Sequence, residues 1–222
     1  MENYGRTSES TLRSETRDLA ALVVEEIRES IAVEEELSRL LAGQIAEAGT
    51  AIVRCLQNHG KLIVFGNGGS AADAQHISAE FIGRYRAERK ALAAIALTTD
   101  SSTLTAIGND YGFDQVFVRQ LEAIGKPGDV VLGISTSGNS LNVLRAMEYA
   151  KNNGLSTIAL TGKSGGKLRG LADICLCVPS DSTPRIQEAH ILIAHILSGI
   201  AEQAFLASGD TESFLKAKAG QG

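Results

Sequence analysis

Four stretches of this 222-residue sequence place reactive side chains at spacings that matter. The first is Phe65-Gly66-Asn67-Gly68-Gly69-Ser70. Its glycines let the backbone come close to a ligand. A helix starting there would turn free N–H groups and the positive end of its dipole toward an anion. The same residues also suit a plain strand-to-helix turn. Gly66-x-Gly68-x-x-Ala71 further fits the G-x-G-x-x-G/A dinucleotide pattern, although its expected acid, Asp100, lies beyond the usual spacing of about 20 residues. The second stretch is Ser135-Thr136-Ser137-Gly138-Asn139-Ser140. One or two hydroxyls there would serve as a helix N-cap. Four hydroxyls and an amide exceed that need and can cradle a phosphate without Lys or Arg. A nicotinamide reading leaves this second cradle without work.

The third stretch is Gln75-His76-Ile77-Ser78-Ala79-Glu80, with Arg84 one turn on. His76 and Glu80 are four apart and share a helix face. They read either as a metal-ligand pair, or a base beside its partner, or as a solvated ion pair. Arg84 is placed to pair with Glu80. The fourth is Arg185-Ile186-Gln187-Glu188-Ala189-His190 followed by His195, on a helix opening at Thr183-Pro184. Gln187 and His195 lie roughly 12 Å apart along the axis and about 80° round it, so one ligand meets both only by sitting between them. His190 and His195 are set among Ile, Leu and Ala, where a histidine is as readily a core residue. Asn109-Asp110-Tyr111-Gly112 reads as a turn, in which Asp110 can also bind sugar hydroxyls. Cys175 and Cys177 alternate on one strand face and read as small apolar residues.

These segments need a scaffold. Short apolar runs at Leu62–Phe65, Leu92–Leu97, Val130–Ile134, Thr157–Leu160 and Ile174–Val178 alternate with helical stretches at 70–84, 101–108 with 114–124, 139–152, 165–170 and 184–207. Continuous Val/Ile/Leu strands separated by helices predict a doubly wound α/β domain with a five-stranded parallel sheet. Its ligand crevice lies beyond the carboxyl ends of the strands, where the first two stretches fall. Before the sheet, residues 17–58 carry an apolar stripe (Leu19, Leu22, Val23, Ile27, then Leu37 to Leu56) that predicts two helices or one broken one. With no sheet yet to cover, part of the stripe is expected to meet another subunit. Residues 1–15 read as a frayed arm, 16–208 as a single domain and 209–222 as a tail.

Charge and composition narrow the function classes. Net charge is −5 and no Lys/Arg cluster stands out, which argues against nucleic acid as a partner. Three cysteines with no C-x-x-C pair give neither a disulfide framework nor a cysteine zinc site, and suit a reducing, cytoplasmic setting. The polar N-terminus shows no signal peptide, and no apolar run of about 18 residues suggests a membrane span.

GNGGS, QHxxAEFxGRY, GISTSGNS, ALTGKSGGK and RIQEAHI…H, in this order over about residues 17–207, resemble the sugar isomerase (SIS) domain family and, within it, the phosphoheptose isomerases. The resemblance implies a flavodoxin-like five-stranded parallel sheet, a homotetramer with sites at subunit interfaces, and one zinc per subunit. It implies conversion of sedoheptulose 7-phosphate to an aldoheptose 7-phosphate, feeding lipopolysaccharide or a related glycan. Residue by residue, Asn67, Gly68, Gly69 and Ser70 match the family's first substrate loop. Ser135, Thr136, Ser137 and Ser140 match its phosphate cradle, and Asn109 and Asp110 a substrate-contacting pair. His76, Glu80, Gln187 and His195 match zinc-binding positions. Glu80 and Gln187 also match substrate contacts, and Glu80 with His195 the acid/base pair. Relatives can carry an acid where this chain has Pro184. The resemblance also admits a non-catalytic SIS protein that binds a replication initiator, but the retained Glu80 and His195 favour the enzyme. An isomerase or binder of another phosphosugar is the remaining alternative.

Overall fold

The computed structural model describes residues 9–207, with side chains from residue 18. Five strands, β1 (Leu62–Gly66), β2 (Ala94–Ala96), β3 (Val130–Ile134), β4 (Ser156–Thr161) and β5 (Ile174–Cys177), form one sheet. The order is β2-β1-β3-β4-β5 and every pairing is parallel. Parallel strands need crossovers and are buried on both faces, hence their near-continuous apolar sequences. Leu62, Val64, Leu132, Ile134, Leu160 and Leu176 point to one face. There they meet α1 (Glu9–Gln57), α2 (Gly69–Ile82) and α7 (Thr183–Ala207). Ile63, Phe65, Val131 and Ala159 point to the other, against α4 (Val118–Ile124) and α5 (Leu141–Asn152). Two short helices, α3 (Ser101–Asp110) and α6 (Leu168–Leu171), complete the crossovers. β1 and β3 are neighbours in register, Phe65 opposite Gly133 and Gly66 opposite Ile134. The glycine loop and the hydroxyl loop therefore leave the sheet side by side at the switch point of a doubly wound fold.

Several expectations need correction. The N-terminal segment is one continuous 49-residue helix rather than two or a broken one. Of the expected arm, residues 9–15 are helical, and residues 1–8 lie outside the described residues, as does the tail at 209–222. The second strand is three residues long, not six, because β2 is a sheet edge and Ile95 is partly exposed. α2 stops at Ile82, where Gly83 caps it, so Arg84 is past the helix and not on the Glu80 face. Asn109 and Asp110 are the last turn of α3, and the chain reverses only at Tyr111 and Gly112 (φ +93).

α1 changes character along its length. Leu37, Leu41, Ile45, Ala48 and Ile52 are buried in the core. Leu19, Leu22, Val23, Val24, Ile27 and Ile31 stand between 45% and 62% exposed. A contiguous apolar stripe of that kind marks an interaction surface. α7 is long and apolar enough to cross a membrane by length and composition, but here Ile186, Ile193, Leu197 and Ala201 are buried in the core.

His190 on α7 is the core histidine of the set. It is fully buried, its Nε2 lies 3.2 Å from the Thr161 carbonyl, and its Nδ1 has no partner. Burial pushes its pKa down to about 4, against a small opposing pull from the Thr161 carbonyl. The unfolded chain therefore takes up the proton first as pH falls, and stability drops from about pH 6.5 to about pH 4. The loss attributable to His190 is expected to reach about 2–3 kcal/mol at pH 4.5. Urea titrations at pH 7 and 4.5 on the native chain and His190→Gln will show it as the difference between the two pH dependences.

Candidate active site

α2 and α7 lie alongside one another in the same direction. Gln187 touches Gly69 near their starts, His195 meets His76, and Gly199 lies by Tyr85 beyond the end of α2. Small residues make the approach possible: a Cβ on Gly69 would come within 2.6 Å of Gln187 Nε2. The result is a cluster at the middle of the helix pair. Ligand atoms of His76, Glu80 and His195 all lie within 4.8 Å of one another. His76 Nε2 and Glu80 Oε1 are 3.1 Å apart, as their four-residue spacing requires. The His76 and His195 rings meet edge to face at 5.1 Å, and Tyr85 stacks on His195 at 5.6 Å. Glu80 and His195 are half-buried while His76 is exposed, so the group is open on one side.

Gln187 joins α7 to the start of α2, on the same helix pair as this cluster. It sits against Gly69, seven residues before His76 and so roughly 10 Å back along α2. The three residues His76, Glu80 and His195 form a nitrogen and oxygen donor set with an open side, which is the composition of a catalytic zinc site with three protein ligands. Arg84 has no bond to Glu80 among the described residues.

The hydroxyl loop is organised for an anion. Ser140 occupies the N-cap position of α5, but its side chain caps no backbone N–H. Its Oγ turns back to Ser135 Oγ at 2.9 Å, and Ser137 Oγ is 3.5 Å from Ser135. The N-terminus of a 12-residue helix is thereby left facing the loop. Thr136 and Ser137 line an open cavity of about 350 Å³ with Gly162, Ser164, Asp181 and Thr183. Pro184 is exposed in the first turn of α7, where its missing N–H costs nothing.

The glycine loop holds Asn67 rigidly. Its side-chain amide exchanges two hydrogen bonds with Asn142, both 2.9 Å, joining this loop to the start of α5. Gly68 takes φ +56 and precedes α2 without a side-chain cap, and Ser70 is buried in its first turn. Asn109 and Asp110 are bonded to each other at 2.7 Å, and no hydrogen bond or ion pair joins them to the other site residues among the described residues.

Three participants escaped the sequence reading. Asn142 orients Asn67, and Tyr85 stacks on His195. Arg89, 3% exposed, donates to the carbonyls of Glu80 (2.6 Å), Phe81 (2.8 Å) and Lys90 (3.1 Å). It is paired with Glu202, whose carboxylate accepts from the backbone N–H groups of Tyr85, Arg86 and Ala87, each at 2.9 Å. Burial alone would raise the Glu202 pKa; those three N–H groups and the Arg89 charge more than offset it, so the carboxyl titrates below its ordinary range. The end of α2, and with it Glu80, is fixed by this buried pair. The Arg and Glu sit far apart in the sequence, and nothing periodic links them.

Comparison with known proteins places these features in context. Residues 27–162 match the family model described as the SIS domain. The chain is 54% identical to a phosphoheptose isomerase of Roseiflexus sp. (strain RS-1), over 82% of this chain and 92% of that protein. It is 55% identical to a phosphoheptose isomerase of Campylobacter jejuni subsp. jejuni serotype O:6, over 83% and 98%. Among solved structures, phosphoheptose isomerase of Neisseria gonorrhoeae is 47% identical with a TM-score of 0.79, covering 83% of this chain and 99% of that one.

Proposed function

Since the chain belongs to the phosphoheptose isomerase family of SIS-domain proteins, we propose that the cluster of His76, Glu80 and His195 is its catalytic centre. The chain is an aldose–ketose isomerase of a phosphorylated sugar, acting on sedoheptulose 7-phosphate. Its product is D-glycero-D-manno-heptose 7-phosphate, a precursor for lipopolysaccharide core or a related glycan. The observation that carries the assignment of roles is the meeting of a carboxylate and an imidazole from two different helices, open to a ligand.

Isomerisation moves a proton between C1 and C2 through an enediol. Glu80 takes the C1 proton while His195 gives a proton to the C2 oxygen. Glu80 then returns its proton to C2, and His195 takes the proton from the C1 oxygen, leaving the aldehyde. Tyr85 and His76 both pack against the His195 ring and orient it. The donors Ser135, Thr136, Ser137 and Ser140 with the α5 N-terminus take the phosphate. Asn67, Gly68, Gly69, Ser70 and Gln187 border the sugar, with Asn109 and Asp110 a further substrate-contacting pair.

His76, Glu80 and His195 would hold a zinc ion, one per subunit, with Gln187 as a further ligand or substrate contact. When bound, zinc supplies Lewis-acid polarisation of the sugar oxygens. A carboxylate bound to a metal is a poorer base, so Glu80 serves both roles only in turn. The exposed stripe from Leu19 to Ile31 supports self-association, and we assign it to a homotetramer in a cytoplasmic setting.

The test is turnover of sedoheptulose 7-phosphate followed by NMR on metal-replete and chelated protein, with metal content measured alongside. Aldoheptose formation and one bound zinc per subunit are expected, both lost on chelation, while His76→Ala binds zinc about 10–100-fold more weakly. Turnover unchanged after complete metal removal sinks the zinc assignment, and no turnover in replete protein sinks the substrate.

A further inference from the structure

The sequence reading left Cys175 and Cys177 as apolar filler, yet the structure does something else with them. Their sulfurs are 3.6 Å apart on the edge strand β5, and both residues are only half-buried. They open on a cavity of about 520 Å³ lined also by Gln44, Lys163, Arg169 and Pro179. The Thr161 hydroxyl lies 3.4 Å from Cys177 Sγ. Glu36 and Asp173 line it too, so the cavity carries both signs of charge, and the Arg169 stem packs against Gly165 as Cys177 does.

That position has a neighbour of consequence. Cys177 Sγ lies where a Cβ on Gly165 would fall 2.8 Å from it, so sulfur and turn are in contact. On its other side the Gly165-Gly166 turn is packed on the hydroxyl loop. A Cβ on Gly138 would collide with the Gly165 carbonyl, and one on Gly166 would come within 2.7 Å of Gly138. The backbone N–H of Lys167 donates to Asn139 Oδ1 at 3.1 Å, and that of Leu168 to the Gly138 carbonyl at 3.1 Å. Cys177, the 165–168 turn and the Ser135–Ser140 loop are thus three layers in direct contact.

We propose that Cys177 is a site of reversible oxidation by hydroperoxides, and that its oxidation weakens phosphate binding by the Ser135–Ser140 loop. The coupling rests on the phosphosugar reading of that loop. The Cys177 thiolate attacks one peroxide oxygen. An S–O bond forms as the O–O bond breaks, and the departing oxygen takes a proton and leaves as water or an alcohol. Sulfur is oxidised by two electrons to a sulfenic acid and the peroxide is reduced by two. A thiol reductant reverses the change. An oxygen on the Gly165 side of the sulfur has no room, and in that orientation it displaces the turn and the loop packed on it.

The electrostatics agree with the geometry. The Cys175 thiol beside it holds the Cys177 pKa below the ordinary thiol range against the opposing effect of burial, with help from Thr161 and Arg169. Cys55, buried near the end of α1 and pushed up to about 11 by burial, is the internal control.

The experiment treats the full-length, metal-replete protein with hydrogen peroxide and follows free thiols by alkylation and mass spectrometry. Cys177 is expected to lose its thiol about a hundredfold faster than Cys55. The oxidised protein is expected to show KM for the sugar phosphate raised about tenfold, the loss of roughly one charge-assisted hydrogen bond, with kcat nearly unchanged. The dissociation constant for inorganic phosphate, by calorimetry, should rise in step. Cys177→Ser is expected to keep native KM and kcat and to be indifferent to peroxide. Oxidation of Cys177 no faster than Cys55 overturns the proposal, as does an oxidised protein that binds phosphate as before. Reduced protein that neither turns over the sugar nor binds phosphate overturns the functional reading and the coupling together. Phosphate binding that is present but insensitive to oxidation overturns the coupling alone.

Discussion

Glu80→Gln is expected to lower kcat by about 10²–10⁴-fold while the protein stays folded, the usual cost of removing a general base. The fold should notice little: the Glu80 side chain is partly exposed, its hydrogen-bond partner His76 is exposed, and its charge acts on Arg89 only behind that of Glu202. KM should change little, because the proposal gives the phosphate to the hydroxyl loop after β3 and not to α2. Metal content separates the two roles given to Glu80. If the residue acts chiefly as a ligand, the variant loses zinc and excess zinc restores most of the rate. If it is the base, the variant retains or regains zinc and stays slow. A variant with kcat within threefold of native removes Glu80 from the chemistry. Single-turnover NMR in deuterated solvent adds a second readout, because a working base exchanges the C1 proton with solvent.

The outcome bears on what was legible in the sequence. Strands β1, β3, β4 and β5 were readable because parallel strands buried on both faces must be continuously apolar. The two ligand loops were readable because glycines and clustered hydroxyls at strand ends have few other uses. His76 and Glu80 were readable because spacing of four fixes them on one helix face. His195 was not decided by its own surroundings. Its place beside His76 follows from how α7 lies along α2, which no local pattern encodes. Gln187 shows the same limit: its contact with Gly69 also follows from how α7 lies along α2, which no local pattern encodes. Asn109 and Asp110 read as a turn because their side chains favour turns, but α3 has enough helix to absorb them before Gly112. The pairs Asn67–Asn142 and Arg89–Glu202 have no periodicity at all, and only the folded chain reveals them.

Glu202→Ala is expected to be the most destabilising single change, about 3–5 kcal/mol, because it leaves a buried guanidinium without its counter-ion. Glu202 is 3% exposed and Arg89 likewise. Against a typical stability of about 5–15 kcal/mol such a loss can halve the folding free energy. The usual remedy for a buried pair, replacing both members with apolar residues of similar size, is expected to recover little here. The carboxylate also holds three backbone N–H groups, and the guanidinium three carbonyls. Arg89→Met with Glu202→Met removes the charges but takes the partners from the Tyr85, Arg86 and Ala87 N–H groups and from the Glu80 and Lys90 carbonyls, while the Phe81 carbonyl keeps the Leu92 N–H; each group left unpaired in the interior costs about 1–3 kcal/mol. Urea titration of the two single variants and the double variant therefore tells an ion pair from a backbone clamp. A double variant as stable as native would show that the charges alone matter. A clamp has a catalytic consequence as well. Arg89 donates to the carbonyl of Glu80 itself, so loosening it frees the last turn of α2. Glu202→Gln, which keeps the shape and one acceptor oxygen, is expected to lose less stability than the alanine variant. It should still lower kcat more than it raises KM, because what it disturbs is the position of the base and not the grip on the phosphate.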